Sequence, residues 1–217
     1  MRCLAEPKPP RARAITRALA AISWAGALLI SHWGVHAQQH AQPAPVSLAA
    51  NYRPDITLAQ YWISEKYDGI RAYWDGQQLR SRQGQQIDAP PWFTHTWPAQ
   101  AMDGELWAGR GQFAAVQSTV AQGRKDEAGW RKLRFMVFDA PAHAGNFAQR
   151  QQALPRWIDG INQPWVELAA QWQVSSHSQL MQQLNTMTAQ GAEGLMLRRA
   201  SAPYRSGRSD DLLKLKL

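Results

Sequence analysis

The segment Ser64-Glu65-Lys66-Tyr67-Asp68-Gly69-Ile70-Arg71 constrains this chain more than any other. Asp before Gly favours a turn, and the run Ile70 to Trp74 that follows reads as a strand. A second Asp-Gly, Asp75-Gly76, leads into Gln77 to Arg82, which predicts a β-hairpin closed by a two-residue turn. Lys66 therefore stands just before a strand, where a stiff backbone can aim it. Lysine is the side chain that attacks a nucleotide α-phosphate as a neutral amine and holds the nucleotide as a phosphoramidate. An ammonium has no lone pair, so such a site must favour the free amine by burial and nearby positive charge. Taken alone, Lys-x-Asp-Gly equally describes a solvated lysine beside a turn.

A chain of 217 residues has room for one or two domains and a core that needs no staples. With 45% hydrophobic and 18% charged residues it is not intrinsically disordered. The formal charge of +8 is unevenly placed, because Arg2, Lys8, Arg11, Arg13 and Arg17 against Glu6 supply half of it before Ala37. The remainder is mildly basic, which suits a phosphate-rich partner without identifying one. A basic start, an apolar run from Ala18 to about Ile30, and Val35-His36-Ala37 as a cleavage site make residues 1–37 a secretory signal. As a helix that run spans about 20 Å, short of a bilayer core of roughly 30 Å, which favours a cleaved signal over an uncleaved N-terminal anchor; no stable membrane association is expected after cleavage. The single cysteine, Cys3, falls in the segment to be removed, so the mature chain forms no disulfide. Six histidines show no metal-ligand spacing.

Gln38 to Ala50 is rich in Gln, Ala and Pro and lacks periodicity, so residues 38–50 read as a linker and 51–217 as the folded unit. Phe113, Val116 and Val120 recur at helical spacing. Leu133 to Phe138 is nearly continuous apolar sequence, as in a buried central strand. Phe147, Leu154 and Ile158 predict a second helix that Pro155 should kink or shorten. Leu180, Leu184 and Met187 predict a third, with Ser176 or Ser178 as N-cap and Gly191 just past its end. Intermixed strands and helices without a repeat give an α+β fold with an antiparallel or mixed sheet.

Further segments follow Lys66 in a fixed order: Ser81-Arg82-Gln83-Gly84, Asp103-Gly104-Glu105-Leu106-Trp107, Phe135-Met136-Val137-Phe138-Asp139, Glu193-Gly194-Leu195-Met196-Leu197-Arg198 and Leu212-Leu213-Lys214-Leu215-Lys216. Order and wording resemble the nucleotidyltransferase motifs of ATP-dependent DNA ligases, and most of all the minimal bacterial periplasmic ligases of the ligase E type. The resemblance runs from Asn51 to the C-terminus. It implies the ATP-grasp-like ligase adenylation domain, α+β with mixed, largely antiparallel sheets.

Under that resemblance Lys66 is the nucleophile, with Asp68, Lys214 and Lys216 in the catalytic group. Glu65, Arg71, Arg82, Phe138 and Met196 join Lys214 and Lys216 around the nucleotide. Phe138 would stack on the purine and Met196 would close its other face, a suitable sandwich for a flat ring. Arginine at 71 and 82 suits ribose and phosphate, since its fork presents paired donors. Glu105 and Glu193 are the carboxylates for Mg²⁺ or Mn²⁺, hard cations that prefer oxygen. Asp103 is a turn former or a supporting residue of the site. Arg205 and Arg208, in a basic Gly-containing loop, are candidate contacts to a DNA backbone, with Arg124 and Lys125 as weaker ones.

The implied substrates are ATP and nicked double-stranded DNA, handled by a monomer. Family members continue into an OB-fold domain carrying a further motif, whereas this sequence stops at Leu217. That leaves two other readings: an RNA-ligase or capping-type nucleotidyltransferase, which shares the lysine motif, and a non-catalytic remnant that binds nucleotide or DNA.

Overall fold

The computed structural model describes residues 42–217, so the expected signal, residues 1–37, lies outside the described residues. In chain order the elements are β1 (Ser47–Asn51), β2 (Tyr61–Glu65), β3 (Ile70–Trp74), β4 (Leu79–Ser81), α1 (Pro91–Thr94), β5 (Met102–Trp107), α2 (Phe113–Gln122) and α3 (Glu127–Trp130). There follow β6 (Arg134–Asp139), α4 (Phe147–Ile161), β7 (Val166–Leu168), α5 (His177–Ala189), β8 (Leu195–Arg199) and β9 (Gly207–Leu215). Two sheets form, one in the order β1-β9-β8-β2 and one in the order β4-β3-β5-β6-β7. Their pairings are antiparallel except for β1 with β9 and β6 with β7. The α+β fold with mixed, largely antiparallel sheets is therefore the one observed.

Side chains alternate between two faces along each strand. In the first sheet Ile63, Leu195, Leu197 and Leu213 are fully buried on one face, in a core with Leu180 and Leu184 of α5. In the second, Ala72, Leu106, Phe135 and Val137 pack with Phe93 of α1, Val116 of α2, Trp130 of α3 and Leu154 of α4. The residues in between, such as Met196 on β8, Arg71 on β3, Glu105 on β5 and Phe138 on β6, turn to the opposite face and border a shared cavity.

Two crossings join the sheets. Residues 66–69 carry the chain from β2 to β3, and Gly69 lies so close to β5 that a Cβ there would meet the Leu106 carbonyl oxygen. Glycine is the residue that permits that approach. Residues 169–172 cross back: the Ala169 N–H donates to the Val137 oxygen, and Trp172 pairs with Ile63.

Helices α2 and α5 match the expected spacing, and Ser176 caps α5 by accepting from the Gln179 N–H. Three expectations need correction. Residues 47–50, assigned to the linker, belong to strand β1, held through backbone pairing with β9 and not by β-prone side chains. Helix α4 runs unbroken through Pro155, because a capping box at Asn146 and Gln149 and the buried Phe147, Arg150, Gln151, Leu154 and Ile161 outweigh one missing N–H. The hairpin turn centres on Gly76 and Gln77, one position later than expected, because the Asp75 carboxylate accepts from the Gln77 and Gln78 N–H groups. Asp75-Gly76 still supplies the turn, with Gly76 at φ +97.

Between the sheets lies a buried ion pair. Asp139 and Arg150 are both 0% exposed and share bonds of 2.6 and 3.2 Å, while Arg150 also donates to the Gly145 and Ala202 carbonyls. Arg198 of β8 approaches the same carboxylate at 3.5 Å, so Asp139 links the second sheet to the first. Arg150→Met should leave this buried charge under-compensated and lower unfolding stability by about 3 kcal/mol. Urea denaturation measures it, and a loss below about 1 kcal/mol would show that Arg198 alone suffices.

Candidate functional site

The cavity between the sheets has a volume of about 320 Å³. Sheet register builds one wall: Ser64 of β2 stands opposite Met196 of β8, which stands opposite Lys214 of β9, and all three border the cavity. On the other wall Arg71 of β3 is the register partner of Glu105 of β5, and Phe138 follows from β6. Lys66 sits where β2 ends and the crossing begins, its own N–H fixed by a 2.9 Å bond to the Gly194 carbonyl.

Seven cationic side chains border this space, namely Lys66, Arg71, Arg82, Arg198, Arg208, Lys214 and Lys216. Two acids, Glu65 and Glu105, share the border, so the cavity is suited to an anion. Glu193, on the turn before β8, receives Lys66 on one carboxylate oxygen and Lys216 on the other. Burial alone would raise the Glu193 carboxyl; the hydrogen bonds and charges of Lys216 and Lys66 overcome it and hold the group below its ordinary value. Glu105 behaves in the opposite way. It keeps an opening to the cavity yet is enclosed by protein, and desolvation pushes it up to about 8 against the pull of Arg71 and Lys66.

Arg71 donates twice to Asp103, at 2.6 Å each, and its guanidinium lies 4.7 Å above the Phe138 ring centre. Asp103 is thus a buried strand residue and not a turn former; the Tyr204 hydroxyl donates to it as well, at 2.6 Å. Glu65 is held by Arg110 through two bonds of 2.9 Å, and Arg110 also donates to Gln190. The Glu65 carboxylate is therefore spoken for by a side chain that the motifs did not point to.

Of the expected site residues, Lys66, Glu65, Arg71, Arg82, Glu105, Phe138, Met196, Lys214 and Lys216 border the cavity, and Glu193 joins them through its lysines. Asp68 does not border it. Arg208, expected in a loop, lies instead on β9, held by pairing with β1; it reaches the cavity and donates to the Ala49 carbonyl, whereas the exposed Arg205, in the loop before β9, lies outside the cavity. Arg124 pairs with Asp88 away from the cavity. Sequence reasoning missed Ser47, Phe147, Gln171 and Arg198 as cavity residues, and Arg110 and Tyr204 as their supports. Only Arg198 carried a signal, as the last residue of a motif segment.

The family model described as the ATP-dependent DNA ligase domain matches residues 55–216. A DNA ligase of Haemophilus influenzae is 38% identical over 156 residues, covering 71% of this chain and 58% of the relative. The chain thus spans a little more than half the length of that curated relative. A solved structure from a structure–function study of Lig E DNA ligases superposes with a TM-score of 0.75 at 43% identity, over 80% of this chain and 69% of the other. The Chlorella virus DNA ligase–adenylate superposes with a TM-score of 0.67 at 21% identity, again over 80% and 69%, a likeness of fold. Matched along most of its length from before β2 to the second lysine of β9's end, the chain belongs to the family of ATP-dependent DNA ligase domains.

Proposed function

We propose that the cavity binds ATP and that Lys66 becomes covalently adenylated as the first step of sealing nicked double-stranded DNA. The observation that carries this reading is the position of Lys66 on the wall of a cavity bordered by six further cations, beside the ring of Phe138 and the thioether of Met196. A triphosphate meets the cations, and a flat base fits between ring and sulfur. The Lys66 nitrogen attacks the α-phosphorus, a P–N bond forms, and pyrophosphate leaves with the electrons of the broken P–O bond. Lys214 and Lys216, arriving together at the end of β9, stabilise the charge that develops on the phosphate oxygens. Glu193 takes the amine's hydrogen-bond partner role in the free protein and keeps it aimed into the cavity. AMP then passes to the 5′-phosphate at a nick, and the adjacent 3′-hydroxyl displaces it. Arg208, on β9 at the cavity border, and Arg205, in the loop that precedes β9, are the proposed backbone contacts to DNA.

The donor set also fits Mg²⁺ or Mn²⁺. Glu105 is a carboxyl whose burial is only partly offset by neighbouring cations, and a divalent ion beside it and Glu193 would complete the compensation. When bound, such an ion neutralises charge on the triphosphate oxygens. Residues 1–37 are read as a signal for export to the periplasm, on the strength of their basic start, apolar run and cleavage site. Mass analysis of protein recovered from the exported fraction should then give an N-terminus at Gln38. Recovery of the unprocessed chain from the cytoplasm would refute it.

Intact-mass measurement after incubation with ATP and Mg²⁺ should reveal an AMP adduct, absent from Lys66→Ala. An adduct that persists in Lys66→Ala would place the chemistry on another residue. No adduct in the parent chain would overturn the self-adenylating reading. A second expectation concerns pH in the absence of divalent cations. Because the fold raises Glu105, the folded chain holds that proton more tightly than the unfolded one. Its contribution is fully present below the ordinary value of 4.5 and is lost as pH rises towards about 8. Thermal melts across that interval should therefore fall less steeply for Glu105→Gln than for the parent. Parallel pH profiles for the two proteins would show that Glu105 ionises freely.

A further inference from the structure

We propose that Gln171 selects the base: its side-chain carbonyl accepts a hydrogen bond from the exocyclic amino group of a 6-aminopurine. This rests on the reading of the cavity as a nucleotide pocket and adds to it the residue that tells one purine from another. Gln171 lies in the second crossing between the sheets. That segment leaves the second sheet at Ala169, whose N–H donates to Val137 at 2.8 Å, and joins the first at Trp172, which exchanges bonds of 2.7 and 2.9 Å with Ile63. One residue along from this bridge are Gln171 and Ser64, and both border the cavity. Ser64 is the register partner of Met196, while Phe138 follows Val137 on β6. Gln171 is therefore flanked by bonds to β6, which carries Phe138, and to β2, the neighbour of the strand that carries Met196, and it borders the same cavity as that ring and sulfur.

The Gln171 Oε1 atom is buried and has no hydrogen-bond partner among the described residues. Of the seven buried side-chain atoms in that condition, it is the one whose residue borders the cavity. An unpaired buried carbonyl oxygen carries the cost of its lost hydration, and a ligand donor removes that cost. Stacking on Phe138 and Met196 cannot distinguish purines, since each presents the same flat face. The base edge can. Adenine offers an N–H donor at carbon 6, guanine offers a second acceptor that would oppose the Gln171 oxygen, and unsubstituted purine offers nothing. Stacking thus supplies affinity and Gln171 supplies identity, the division expected where one polar group fixes a ligand in an apolar slot.

Calorimetric titration of the full chain with AMP, purine riboside 5′-monophosphate and GMP tests this, in the parent, Gln171→Leu and Gln171→Glu. The parent should bind AMP about tenfold more tightly than the purine riboside nucleotide, with GMP weaker still. Gln171→Leu keeps a side chain of similar size and replaces the amide, unpaired acceptor included, with an apolar group, so its melting temperature should hold or rise. In that variant AMP should fall to the affinity of the purine riboside nucleotide, whose own binding stays unchanged; Gln171→Glu, which retains an acceptor, should keep a preference for AMP. Equal weakening of both nucleotides in Gln171→Leu would mark a packing role and overturn the proposal. So would a parent that binds AMP without preference, and that result would leave the nucleotide pocket standing. A parent that binds none of the three would overturn the pocket and the proposal together.

Discussion

Everything in this structure depends on holding two sheets apart with polar faces towards each other. Apolar sheets close on contact, and a gap between them survives only if charges inside it are compensated. Asp103 and Asp139 meet that condition from the second sheet. Asp139 is gripped by Arg150 from α4 and approached by Arg198 from β8, and Asp103 by Arg71 and Tyr204. Arg71 and Arg198, which border the cavity, are fixed in this way, so positive charge faces the cavity without needing to be ordered when an anion arrives. Preorganisation of this kind is what makes charge useful to a reaction.

The same arrangement explains why opposite fates befall Glu105 and Glu193. Glu193 sits on a turn at the end of the first sheet, within reach of lysines from two strands, and is held ionised. Glu105 sits in mid-strand where its nearest cation, Arg71, is already committed to Asp103. Two carboxylates of one site are therefore shifted in opposite directions because of where the backbone places them, not because of their chemistry.

Much of this was legible in the residues and some was not, for physical reasons. Helices α2 and α5 could be read because apolar spacing, Ser176 and the glycine beyond the helix all act locally. The cavity residues of the motifs could be read because period-2 alternation sends Met196, Glu105 and Phe138 to one face while their neighbours go to the cores. Strand β1 was hidden: Ser-Leu-Ala-Ala-Asn has no β-branched residue, and its partner β9 lies about 160 residues away, as the Ser47 to Gly207 register illustrates. Pro155 misled because burial of one helix face outweighs one lost bond. Arg110 and Tyr204 act through partners distant in sequence, and nothing beside them in the chain announces those partners.

The parallel pairing of β1 with β9 carries a consequence for the order in which the molecule comes into being. β9 lies between β1 and β8, so the first sheet stays split until residues 207–215 are available to fill it. Lys214 and Lys216 arrive with that same strand. The hairpin β3–β4 and helix α5 can form from local contacts while the chain is still being made, but the anion-binding wall cannot. A partly synthesised chain thus has Lys66 beside a β8 whose far edge is still open, without the two lysines that would help draw a triphosphate to it. The last strand is a keystone in time as well as in space, and the cavity exists only once the chain has reached it.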